Sequence, residues 1–242
     1  MKRKLKIEIG LAVLLLLIAL FGSFLAPYDP LKVNYDFSLQ PPGLLHIFGT
    51  DKLGRDVLSR ILCGAKTSFG LTFLLLFLIV FIGMIIGLIA GLSNDKAESF
   101  FNNIINGLLA FPDTIFTITI VGIVGAGLFN TVFALALIWW TKYARLTLAL
   151  VKQEKKKSYL VISKMSGVPP LQRIIRYLLP NILSQILVTA FLDIGNMMIS
   201  LAGLSFLGLA SQPPQPEWGA MLYESKQFTD PIYHNTFYKF IH

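Results

Sequence analysis

Five polar residues recur inside one apolar stretch: Gln185, Thr189, Asp193, Asn196 and Ser200, spaced by four, four, three and four positions. That spacing sets all five along one helical face. An ionisable residue in a membrane helix is costly against lipid and faces a bundle interior, a partner or a watery path. The chemistry on offer is therefore the passage of a polar solute, with a hydrogen-bonding seam between helices as the structural alternative. Asp113, after Phe111 and Pro112 at the start of another apolar run, is a second acid near the membrane and reads as a helix cap.

Bond-making chemistry has no residues to work with. The sequence holds no G-x-x-x-x-G-K-[ST] nucleotide loop, no G-x-G-x-x-G turn and no H-E-x-x-H pair. His46, His234 and His242 are scattered over loops and read as surface residues, so no metal site and no cofactor is expected. Cys63, the single cysteine, excludes an internal disulfide and reads as a small apolar filler. Energy for uphill movement would come from outside the chain or from an ion gradient.

The elements that must position the polar face are membrane helices. Of 242 residues, 55% are hydrophobic and 14% charged, and the mean hydropathy is +0.67. A soluble domain carries about 25% charged residues. Apolar runs at roughly 9–26, 69–92, 104–124, 128–150 and 182–209 approach or exceed the length of a bilayer-spanning helix. The expected fold is an all-α polytopic membrane helical bundle of five transmembrane helices. Residues 1–26 form an N-terminal anchor and 27–68 an external segment with a short amphipathic helix. Residues 69–209 form the core, and 210–242 an external loop and chain end.

Charge sets the orientation. With the N-terminus in the cytoplasm, residues 1–8, 92–103 and 141–181 hold 14 of the 21 Lys and Arg, as the positive-inside rule requires. The net charge of +8 is explained by these loops, and no nucleic acid is implied. Within the second run, Gly83, Gly87 and Gly91 make a small-residue stripe along which another helix can approach closely.

The stretch KKKSYLVISKMSGVPPLQRIIRYLLP (155–180) carries six Lys or Arg and no acid. Residues 158–166 can form a helix closed at Gly167, and Pro169 and Pro170 can open a second one. Two short helices joined by an elbow would lie at the cytoplasmic face, resting on anionic lipid or docking a protein.

The spacing from Gly167 to Leu179 and Pro180 resembles the signature of permease subunits of ATP-binding-cassette importers. There a Glu-Ala-Ala segment precedes the Gly, and Leu-Pro follows at a fixed gap. Val161, Ile162 and Ser163 stand at the Glu-Ala-Ala positions here. HIFGTDKLGRDVLSR (46–60) and LSFLGLASQPPQPEWGAML (204–222) resemble two further segments of the peptide/nickel branch of that family. LDIGNMM (192–198) and KMSGV (164–168) look closer to its nickel-type members, some of which have His where Asn196 stands.

The resemblance implies a multi-pass permease of the bacterial inner membrane, without an ATPase site of its own. Its partners would be the lipid bilayer, a second homologous permease, two ATP-binding-cassette ATPases and an extracytoplasmic substrate-binding protein. The implied cargo is nickel or a nickel chelate. The alternatives are di- or oligopeptides, or an inactive fragment or non-transporting scaffold, because the family's sixth span is missing after about Phe228. Gly167, Leu179, Pro180, Arg173 and Arg176 are expected to couple to the ATPase. The 185–200 stripe is expected to line the path, and Asp51, Arg55, Asp56 and Arg60 to act in the external segment, with Asp56 and Arg60 paired across one helical turn.

Overall fold

The computed structural model describes residues 2–211 and 214–226. Nine α-helices occur among them: α1 Lys2–Leu25, α2 Val57–Leu92, α3 Asp95–Leu109, α4 Asp113–Val124, α5 Leu128–Lys155, α6 Ser158–Met165, α7 Pro170–Arg173, α8 Leu179–Phe206 and α9 Trp218–Lys226. Two short turns join them, a 3₁₀ turn at Tyr35–Phe37 and a π turn at Ile174–Leu178. The described residues contain no strand beyond an isolated bridge between Thr50 and Asp56. The expected chain end after Phe228, with His234 and His242, lies outside the described residues.

Three helical stretches are long and apolar enough to cross a membrane: Val57–Leu92, Leu128–Lys155 and Pro170–Phe206. The third expected span is not one rod. α3 and α4 meet at a bend of 83°, where Pro112 supplies no N–H and disfavours helical backbone at Phe111. α5 also runs past the expected end at 150 to Lys155, because no Gly or Pro interrupts it. Lys142 and Arg145, which the charge count gave to the cytoplasmic loop, lie well within the helix.

The chain forms two compact units. One comprises Thr72–Val124 and Phe129–Met197. Its centre is the glycine seam, where a Cβ on Gly83 would stand 2.6 Å from the Trp140 carbonyl oxygen and one on Gly87 2.5 Å from that of Ala144. Only hydrogen side chains permit this approach of α2 to α5. Lys152 Nζ meets Glu98 at 2.7 Å and ties α5 to α3, whose first turn is capped by Asn94.

The other unit comprises Met1–Leu71, Gly125–Leu128 and Met198–His242. In it the short amphipathic helix expected in the 27–68 segment, over 46–60, is not a separate surface helix: 46–56 is a looped segment and 57–60 is the first turn of α2. Asp56 caps that helix, accepting from the Ser59 amide at 2.8 Å and the Ser59 hydroxyl at 2.7 Å. α9 is capped in the same manner by Glu217, which accepts from the Gly219 and Ala220 amides at 2.9 Å each.

Candidate functional site

Near the middle of α5 stands Lys142, and near the middle of α8 stands Asp193. The Lys142 ammonium donates to both carboxylate oxygens, at 2.8 and 2.7 Å, and the Tyr143 hydroxyl donates to Oδ2 at 2.8 Å. Asp193 is buried, while the Lys142 side chain is 56% exposed. Both line a cavity of about 440 Å³ together with Asp113, Trp139, Asn196 and Met197. Trp139 Nε1 donates to Asp113 Oδ2 at 3.1 Å, on the bend between α3 and α4. The cavity thus carries a half-exposed ammonium, the carboxylates of Asp113 and Asp193, an amide and a thioether.

Of the expected stripe, Asp193 and Asn196 reach this cavity. Gln185 and Thr189 lie further along α8, where the Thr189 hydroxyl donates to the Gln185 carbonyl at 3.0 Å. Ser200 falls in the other unit. Lys142, Tyr143 and Trp139 were missed from sequence. The available signal was a lysine inside an uninterrupted apolar helix.

The external segment builds a second polar centre. Asp51 Oδ2 accepts from Arg55 Nε at 2.7 Å and from Arg60 Nη1 at 2.9 Å. Glu224 Oε2 accepts from Arg55 Nη2 at 2.9 Å and from Arg60 Nη2 at 3.0 Å. Both arginines are 1% exposed. The expected Asp56–Arg60 pair is therefore corrected: Asp56 bonds His46 Nδ1 at 2.9 Å and caps α2, while Arg60 turns to Asp51 and Glu224. With α2 starting at Val57, the cap position fixes Asp56 before a pair could form. Burial pushes the Glu224 carboxyl above the usual carboxylate range, against the pull of Arg55. Trp218 joins this unit, its indole N–H donating to the Ile61 carbonyl at 3.0 Å.

The elbow forms as expected at Gly167, which adopts a φ of +75° between α6 and α7. Past it, α7, the π turn and α8 run on as one helical stretch, so Pro180 does not break the helix. The wide turn absorbs the proline, with the Leu179 amide bonding back to the Ile174 carbonyl. Glu154 anchors the near side, accepting from Lys157 Nζ at 2.6 Å and from the Tyr159 hydroxyl. Burial, and then the bond to Glu154, pushes the Tyr159 hydroxyl up to about 12. Val161, Ile162 and Met165 are exposed on α6, as are Pro180 and Arg176, while Arg173 and Leu179 are half-buried.

Among the described residues the chain is nearly all helical, with three stretches able to cross a membrane, a polar cavity at Lys142 and Asp193, and a basic elbow at Gly167. Residues 83–229 match the family of inner membrane components of binding-protein-dependent transport systems, and residues 9–42 match the N-terminal transmembrane domain of oligopeptide transport permease C. The chain belongs to this family, as a multi-pass inner-membrane permease of the peptide/nickel group of ATP-binding-cassette importers. It is 38% identical over 229 residues to the di/tripeptide transport system permease protein of Pseudomonas aeruginosa, covering 91% of this chain and 76% of the relative. It is 34% identical over 221 residues to the nickel transport system permease protein of Escherichia coli K12, covering 90% and 80%. To the dipeptide transport system permease protein of the same strain it is 38% identical over 222 residues, covering 89% and 74%.

Proposed function

We propose that this chain forms half of the membrane channel of an importer and that its cargo is a short peptide. The observation that carries this reading is the cavity, where Lys142 presents an exposed ammonium and Asp113 an exposed carboxylate around apolar Trp139 and Met197. A zwitterion finds counter-charges of both signs there, a spare N–H donor on Lys142 for its carboxylate and the Asp113 and Asp193 carboxylates for its ammonium. A second homologous permease completes the channel, two ATPases seat on the cytoplasmic side, and an external binding protein delivers the cargo.

Force enters through the elbow. Ile162 and Met165 offer α6 an apolar contact for an ATPase groove, with Arg173 and Arg176 as charged contacts around it. Because α7 and α8 are continuous, a push on the elbow is carried along one helical stretch to Asp193 and Asn196. Gly167 supplies the corner, and Leu179 and Pro180 open α8 just past the wide turn at Ile174–Leu178 through which that push passes.

Nickel, free or chelated, is the second reading, favoured by the 34% identity to a nickel permease and by the Asp193-to-Met198 segment. The two readings separate in one experiment: uptake of a labelled dipeptide and of trace nickel by cells with the gene intact, deleted and restored. Loss and recovery of dipeptide uptake supports the first. Loss and recovery of nickel alone replaces it with the second.

A further inference from the structure

We propose that Lys142 is a cargo-binding residue, whose free N–H donor takes the carboxylate of the solute passing through the cavity. Asp193 and Tyr143 are then positioning residues that hold the ammonium in place. The inference rests on the importer reading, and it applies equally to a peptide C-terminus and to a carboxylate chelator around nickel.

The argument starts from an asymmetry within one ion pair. Asp193 accepts three hydrogen bonds, two from Lys142 and one from Tyr143, and is buried. Lys142 is 56% exposed at its side chain and spends its bonds on Asp193 alone among the described residues. An ammonium has three donors, so one is left over.

Burying the ammonium as deeply as Asp193 would cost desolvation, and its exposure leaves the third donor open to the cavity. Lys142 stands near the middle of α5, about 20 Å from either end at ~1.5 Å per residue. An exposed ammonium at this depth has to face water, a partner or a passing anion. The cavity into which it is exposed also holds the Asn196 amide and the Asp113 carboxylate, the latter bonded to Trp139. Asp113 and Asp193 both repel an anion, and Lys142 is the one cation lining the cavity among the described residues, so the spare donor of Lys142 is where a carboxylate can be held.

The test uses the complete transporter in proteoliposomes, with its binding protein saturated, and reads uptake per ATP hydrolysed. Two cargo arms are run: a labelled dipeptide, and radioactive nickel supplied with or without citrate. Lys142→Met should lower uptake per ATP about tenfold or more in whichever arm the unsubstituted transporter imports, as expected for a lost charged hydrogen bond. Lys142→Arg should retain most of it. The double variant Lys142→Met/Asp193→Asn leaves a neutral pair, so it keeps the test open even where the single variant fails to fold.

Persistent loss of uptake in the double variant supports cargo binding. Recovery in the double variant, or full uptake per ATP in Lys142→Met, overturns it and leaves Lys142 as a counter-ion. Import of nickel without citrate, and of neither carboxylate cargo, overturns it together with the peptide reading. Import of nickel–citrate with a Lys142 effect retires the peptide alone.

Discussion

Arg55 and Glu224, 169 residues apart in sequence, meet at 2.9 Å, and the same carboxylate oxygen takes Arg60 at 3.0 Å. Two cations from the start of α2 and its preceding loop are thereby fastened to α9. Breaking one partner of a buried, hydrogen-bonded ion cluster strands the charge that remains. Glu224→Ala should therefore destabilise the protein by about 3–5 kcal/mol, read as a fall in the melting temperature of the detergent-solubilised complex. Asp29→Ala, at an exposed position, serves as the control and should change it little.

The same carboxyl gives stability a pH dependence of defined sign. Its folded-state pKa is raised by burial, so the folded protein holds the proton more tightly than the unfolded chain. The contribution is complete below the unfolded value, about 4.3 for Glu, and is lost as pH rises through the higher folded value. Glu224→Gln removes the titration. Its melting temperature should fall less than that of the unsubstituted protein as pH rises across that window, and parallel curves would contradict the assignment.

What was legible in the sequence follows the range of the interaction. The glycine stripe of α2, the turn at Gly167 and the placement of Asp193 on one face of α8 are local periodicities, and each is found where spacing put it. The break at Pro112 was written in the chain too, but an apolar run of the right length masked it. The Asp51–Arg55–Arg60–Glu224 cluster was not legible, since nothing near Arg55 points to Glu224. Lys142 was hidden for a different reason. Its charge was counted with a basic loop, although no residue between Leu128 and Lys155 ends the helix.

Close approach in the glycine seam has a measurable cost when filled. A methyl on Gly87 would lie 2.5 Å from both the Ala144 carbonyl oxygen and the Thr147 Cβ. Neither can withdraw without moving α5. Gly87→Ala should cost about 1–3 kcal/mol, as overpacking does, whereas Gly70→Ala on the same helix meets nothing within 4 Å and should be tolerated. The melting temperatures of the two variants, compared side by side, test whether the seam holds α2 against α5.

Gly167 poses the opposite case, where space is free and the backbone is not. A Cβ there meets no atom within 4 Å, yet the residue sits at φ +75°. A left-handed conformation costs a non-glycine residue about 1–2 kcal/mol, and valine, branched at Cβ, adopts it less readily than alanine. The strain is relieved only by reorienting α6 against the stretch that begins at Pro170. Gly167→Val should therefore leave assembly intact and weaken the transmission of force between ATPase and channel. The expected outcome is a several-fold fall in the stimulation of ATP hydrolysis by loaded binding protein, with Gly167→Ala intermediate. Equal stimulation in all three would show that the corner at Gly167 takes no part in coupling.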